Sequence, residues 1–184
     1  FPLFTYSFAY PAIGLKLRQE MRYISQNAQF SSCGLYRYNL ERTWKKGSGR
    51  VLFIGLNPST ANDQIDDPTI RRCVSFSRTW GYCAMEIVNL FAYRATHFSD
   101  LKNTKDPIGH YNDRWIKAAY QKADIIVACW GNHGNYLQRS NTIKLQFKNL
   151  HCIKLNKTLQ PAHPLYQKRD LNPLPMFDAK NSST

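Results

Sequence analysis

Three short stretches of the chain carry polar side chains directly after apolar runs, and a fourth lies a short way beyond another. Gly55-Leu56-Asn57-Pro58-Ser59-Thr60 follows Val51-Leu52-Phe53-Ile54, and Asn89-Leu90-Phe91 closes the run that starts at Ala84. Trp130-Gly131-Asn132-His133 follows the run from Ile125, and Pro161-Ala162-His163-Pro164 lies beyond His151-Cys152-Ile153. A carboxamide offers a donor and an acceptor and takes no proton at neutral pH, whereas histidine can donate, accept or change charge near neutrality. Such a set suits reading the polar edge of a ligand, holding a water and donating to an oxygen that gains charge. Each member also has a plain structural use: Asn57-Pro58 as a turn, Asn89 as a loop cap, Trp130 as a core anchor, His163 as an exposed loop residue. What joins them is their shared position after apolar runs.

The elements that must position them alternate. VLFIG has the composition of a strand buried on both faces. Asp67 then suits an N-cap with Pro68 at the first helical position; Ile70, Cys73, Val74, Ser77 and Trp80 form one face, and Gly81 ends the helix. AMEIVNLF is a second strand, residues 112–123 a helix with Trp115, Ala118 and Ala119 inward, and DIIVACWG a third strand. YLQRSNTIKLQFKN reads as a helix, HCIKLN as a weaker fourth strand, and the chain from Thr158 onward as proline-punctuated loop and tail. Upstream, CGLYRYNLERTW alternates as a strand or hairpin does, and KKGSG makes a turn. This alternation predicts an α/β fold, a three-layer α/β/α sandwich around a central, mainly parallel four-stranded sheet with an N-terminal strand or hairpin extension. Residues 33–177 form the main domain, 1–32 an extension and 178–184 a tail. Ligands of such sheets bind beyond the carboxyl ends of the strands, so the four polar stretches are expected at one mouth.

Charge narrows the class of partner. The 184 residues carry 25 Lys and Arg against 12 Asp and Glu, a net +13. Residues 1–50 hold 8 bases and 2 acids, 51–124 hold 9 and 8, and 125–184 hold 8 and 2, so the excess sits at the two ends. A field of that sign favours a polyanion, although solubility alone is another use for lysines. The five cysteines include no CxxC pair, which suits reduced thiols rather than a disulfide framework. Neither they nor His133 and His151 make a recognisable zinc or iron-sulfur set, so no metal and no cofactor is expected. No apolar run approaches the ~20 residues that span a bilayer. The opening FPLFTYSFAYPAIGLKL lacks a basic start and is broken by Pro2 and Pro11, so it fits a secretory signal poorly, and Met21 is a possible internal start. The expected setting is the cytoplasm, at the nucleoid through DNA.

Two resemblances build on these motifs. GLNPSTA, DDPTIRRC, VNLFAYRAT and WGNHG, within residues 34–177, resemble a bacterial and phage family of unknown function. Four motifs in order also resemble the uracil-DNA glycosylase superfamily: Gly55-Leu56-Asn57-Pro58, nearest to the form of its mismatch thymine/uracil branch, Val88-Asn89 at a strand end, Cys129-Trp130-Gly131, and His163-Pro164. That resemblance implies a uracil-DNA glycosylase-like fold and hydrolysis of the N-glycosidic bond of a uracil, mismatched or C5-modified pyrimidine in DNA, for repair or defence against modified phage genomes. By it, Asn57 would hold the attacking water, Asn89 would read the pyrimidine edge, and His163 would donate to the base oxygen. Where the strict uracil branch has a Tyr after the motif's Pro, this chain has Ser59, which implies room for a substituent at C5.

The base must leave the duplex to react, and Phe76 and Phe91 are candidates to stack on it. Both also suit a core. Leu165 and Tyr166 are candidates to wedge into the vacated stack, although the usual His-Pro-Ser-Pro-Leu loop is shorter here. Arg71, Arg72, Lys154, Lys157, Lys168 and Arg169 are candidates for phosphate contact, which would make binding salt-dependent. Asp66 and Asp67 are the acids nearest Asn57 and could assist it, although capping explains Asp67. Two other readings stay open: a non-catalytic nucleic-acid-binding module of the same fold, and a hydrolase or transferase of free nucleosides or nucleotides.

Overall fold

The computed structural model describes residues 22–176. Seven strands, β1 (Tyr23–Phe30), β2 (Arg37–Trp44), β3 (Arg50–Gly55), β4 (Ala84–Asn89), β5 (Ile125–Ala128), β6 (Leu150–Cys152) and β7 (Leu174–Pro175), form one sheet in the order β1-β2-β4-β3-β5-β6-β7. Its middle, β4-β3-β5-β6, is parallel and consists of the four strands expected from the apolar runs. A four-stranded sheet was too small an expectation. The N-terminal hairpin is no appendage: β1 pairs antiparallel with β2, and β2 pairs antiparallel with β4. At the far edge β7, inside the segment expected as loop, pairs antiparallel with β6. Both outermost strands are weak signals because they are edges. β1 is mostly exposed and polar, and β7 is two exposed residues. The expectations placed on residues 1–20, Met21 and the 178–184 tail lie outside the described residues.

Side chains alternate across a strand, and so the sheet carries a core on each face. Val51, Phe53, Met85, Ile87 and Val127 pack with Ile70, Cys73, Val74 and Phe76 of helix α1 (Pro68–Thr79). On the other face Leu52, Ile54, Val88, Ile126 and Ala128 pack with Ile116 and Ala119 of α3 (Asn112–Lys122) and Ile143 of α4 (Arg139–Gln146). A short helix α2 (Phe98–Asn103), with Leu101 buried, stands in the loop after β4. Helix α1 starts as its sequence dictates: Asp67 accepts from the Ile70 N–H at 2.8 Å, Pro68 occupies the first turn, and Gly81 follows the end at φ +86°.

The helix expected over 136–149 begins at Arg139 instead. Leu137 and Gln138 take positive φ (49° and 56°) at the end of the 3-10 stretch Asn132–Gln138, which is kinked at Tyr136 and Leu137. The buried indole of Trp130 shapes this stretch. It donates to Gln160 at 2.8 Å, and Gly134 lies against the ring so closely that any Cβ would collide with it.

The antiparallel entry of β2 has a direct consequence for the site. Its first residue, Arg37, reaches the sheet end where the parallel strands finish, and the Arg37 N–H pairs with the Ala92 carbonyl just past β4 at 2.9 Å.

Candidate functional site

A cleft of about 620 Å³ opens at the carboxyl ends of the parallel strands. Gly55 and Asn57 reach it from β3, Asn89 from β4, Trp130 to His133 from β5, and Asn156 and His163 from beyond β6. Asn57, Asn89 and His163, far apart in sequence, therefore line one cleft, together with Ser59, Leu165 and Tyr166.

Each of the three polar side chains is held in a defined state. The amide nitrogen of Asn57 donates to the carbonyls of Pro58 (3.0 Å) and Ala95 (2.6 Å). Those two acceptors decide which end of the amide is nitrogen, and Oδ1 is left as the acceptor that Asn57 offers to a ligand or water.

Asn89 is 2% exposed, yet its side-chain amide makes no hydrogen bond to any described residue, and Nδ2 is fully buried. A buried amide without partners costs about 1–3 kcal/mol. Its surroundings are built to keep it there. In the register of β3 and β4, Gly55 stands opposite Asn89, and the absent Cβ of Gly55 leaves the room that Asn89 Oδ1 occupies. Behind it, Asn112 donates to the carbonyls of Asn89 (2.9 Å) and Leu90 (3.1 Å), while Arg139 donates to Leu90 at 3.0 Å and pairs with Asp113.

His163 accepts the Leu165 N–H on Nδ1 (3.4 Å), which places the proton of the neutral ring on Nε2, a donor with no protein partner among the described residues. Burial pushes its pKa below the ordinary 6.5, with the nearby Asp67 carboxylate opposing the shift. His163 is thus a neutral hydrogen-bond donor at pH 7. Its loop is tied down from two sides. Gly131 N–H donates to the Pro161 carbonyl at 2.9 Å, and Arg72 of α1 reaches the Leu165 carbonyl at 3.4 Å.

The other expected site residues divide. Phe76 and Phe91 are core residues, 1% and 0% exposed, and neither can stack on a ligand. Phe76 lies against Trp80 (5.2 Å between centroids) on the inner face of α1, and Phe91 against Tyr136 (5.5 Å). Full burial of a ring of this size is worth about 1.5–3 kcal/mol, which outweighs any use at the surface. The aromatic rings among the cleft-lining residues are Trp130, His133, His163 and Tyr166, of which Trp130 is as deeply buried as Phe76. His133 is stacked on Phe98 at 4.0 Å, and Tyr166 is 80% exposed. Arg71 is exposed and donates to the Asp66 carbonyl, while Arg72 braces the His163 loop. Lys154, Lys157, Lys168 and Arg169 are exposed and outside the cleft lining. Asp66 is committed to Arg42 and the Tyr23 hydroxyl, whereas Asp67 caps α1 and also lines the cleft.

Three contributors escaped the sequence. Asn112 and Arg139 act through backbone carbonyls, and no motif marks that role. Arg37, 2% exposed, lines the cleft from β2. Burial brings its guanidinium down to about 10, partly offset by Asp67, so it stays charged at neutral pH.

Residues 37–165 match the model of a family described as a protein of unknown function, DUF1643. The chain belongs to the DUF1643 family. The DUF1643 match runs from Arg37 to Leu165 and so encloses the hairpin strand that completes the cleft as well as Asn57, Asn89 and His163. No curated protein and no solved structure matches the chain. No helix among the described residues is long and apolar enough to cross a membrane.

Proposed function

We propose that the cleft takes a pyrimidine extruded from DNA and hydrolyses its N-glycosidic bond, as the resemblance to uracil-DNA glycosylases implies. The observation that carries this reading is the buried, unpartnered amide of Asn89. Buried polar groups are almost always satisfied, and an orphan donor on a residue that lines a cleft is a place where a ligand, or the water that a ligand displaces, completes the hydrogen bond. A carboxamide presents a donor beside an acceptor, the complement of a pyrimidine edge with its carbonyl beside a ring N–H.

The remaining groups then have distinct tasks. Asn57 Oδ1 accepts from a water and aims its oxygen at C1′ of the sugar, without acting as a base. As the new C–O bond forms, the C1′–N1 bond breaks and its electron pair passes into the ring, out to the carbonyl oxygens. His163 Nε2–H donates to one of those oxygens where the negative charge collects, and the water proton leaves to solvent. A neutral donor suits this task because it stabilises the departing anion without having to lose a charge. Ser59 leaves space beside the pyrimidine for a C5 substituent, and Tyr166, exposed beside His163, is placed to fill a vacated stack. The net +13 supports a DNA partner, with Lys154, Lys157, Lys168 and Arg169 as phosphate contacts.

Incubating the protein with duplexes bearing uracil, mismatched thymine or 5-hydroxymethyluracil, then treating with alkali, tests the reading. Strand breaks are expected at one or more of these bases and should fall about 10²–10³-fold in H163A. Salt-sensitive DNA binding without breaks would instead identify a non-catalytic module. Cleavage of free nucleosides with no salt dependence would identify a nucleoside hydrolase.

A further inference from the structure

Three arginines are deeply buried in the fold, and two of them have a carboxylate. Arg42 pairs with Asp66 and Arg139 with Asp113. Arg37 has no acid within ion-pair distance among the described residues. Its Nη1 donates to the Ala61 carbonyl at 2.8 Å, its Nε is buried without a partner, and Nη2 makes no hydrogen bond to a described residue. Nε and Nη2 form one edge of the guanidinium, the edge that accepts two oxygens of a carboxylate or phosphate side by side. Arg37 lines the same cleft as Asn57 and Asn89.

A guanidinium withdrawn from water and given one neutral acceptor is poorly compensated. The charged groups that act on it are the Asp67 carboxylate, which is already capping α1, and the like charges of Arg94 and Arg42. Removing a charge from water without a counter-ion is unfavourable unless something arrives to pair with it. The fold nevertheless delivers Arg37 here, by running β2 antiparallel into the sheet.

We infer that Arg37 is the anion-binding group of the cleft, taking two oxygens of a carboxylate or phosphate carried by the same ligand whose polar edge Asn89 reads. This rests on the pyrimidine reading of the site. Such an anion has two sources, a phosphate of the extruded nucleotide or an acidic substituent on the base itself.

Calorimetric titration of the full chain at constant ionic strength tests the inference with matched pairs: deoxyuridine 5′-monophosphate against deoxyuridine, 5-carboxyuracil against thymine, and inorganic phosphate alone. At least one acidic ligand should bind ten-fold or more tightly than its neutral counterpart. Preference for the nucleotide assigns the anion to the phosphate, and preference for 5-carboxyuracil assigns it to the base. R37M should abolish the preference and R37K should keep part of it. D67N, which retains a capping side chain and removes the opposing charge, should tighten acid binding by roughly 3-fold. Wild-type protein with no preference for any acid overturns the inference, as does a folded R37M that keeps one. Should R37M fail to fold, D67N decides: tighter acid binding supports the subsite, and equal or weaker binding rejects it. Arg37-dependent phosphate binding without base removal from any duplex would reject the glycosylase reading and leave the anion subsite standing.

Discussion

A methyl group at position 55 would stand 2.8 Å from Asn89 Oδ1, so the glycine of the first motif and the asparagine of the second form a matched pair across β3 and β4. The glycine of Gly55-Leu56-Asn57-Pro58 is therefore a requirement of its neighbour strand rather than of a turn. G55A must displace a buried amide or bend a central strand. Overpacking of this kind costs about 1–3 kcal/mol. Urea unfolding should show that loss, and base removal should fall further than the folded fraction does, because Asn89 is the group displaced.

Asn57 is fixed by two carbonyls that need a donor, and this decides what an acid there would do. N57D places a carboxylate oxygen against the carbonyls of Pro58 and Ala95. The ionised form is disfavoured, so the new carboxyl titrates above its unfolded value of about 3.9. Stability relative to wild type should be nearly preserved below that value and lost as pH rises through the raised folded pKa, by about 1–3 kcal/mol in all. Urea midpoints at pH 4 and pH 7 measure the difference. A substitution that supplies a general base on paper should therefore not give a faster, stable enzyme.

His163 titrates below 6.5 because it is buried, and the sign of its pH effect follows. A folded-state pKa depressed below the unfolded one gives a stability contribution that is present above about 6.5 and lost as pH falls through the lower folded value. Protonation also ends the Nδ1 acceptance of the Leu165 N–H. Base removal should be flat through neutral pH and decline in acid, and the wild-type urea midpoint should fall between pH 7 and pH 5 more than that of H163Q.

Ser59 faces the cleft after the motif's Pro58. S59Y should lose removal of 5-hydroxymethyluracil by at least about 10-fold while retaining uracil, a discrimination worth about 1–3 kcal/mol. Parallel single-turnover assays on the two duplexes give the ratio, and equal rates in the variant would refute the pocket assignment.

The strand ends were legible because a continuous apolar run followed by Gly-Leu-Asn-Pro or Trp-Gly-Asn-His has few other structural solutions. The arrival of Asn57, Asn89 and His163 in one cleft follows from parallel strands finishing at one sheet end. Arg37 was not legible. Its place depends on β2 entering the sheet antiparallel between β1 and β4, and the alternation that marks a strand there does not say which neighbour it pairs with or which sheet end its first residue reaches. Phe76 and Phe91 invited the wrong use because an aromatic near a polar motif looks available. Phe76, however, belongs with Ile70 and Cys73 on the inner face of α1, and burial decided its role. Asn112 and Arg139 hold the end of β4 through main-chain carbonyls that nothing in their local sequence announces.

Free-base release measures the central claim most directly. Duplexes carrying uracil, mismatched thymine or 5-hydroxymethyluracil are incubated with wild-type protein, N57A, N89A and H163A, and the liberated base is quantified by chromatography and mass spectrometry. The account expects a free pyrimidine from at least one duplex with wild-type protein, and release reduced about 10²-fold or more in each folded variant. No free base from any of them, or release that persists when Asn89 and His163 are both replaced, would contradict it.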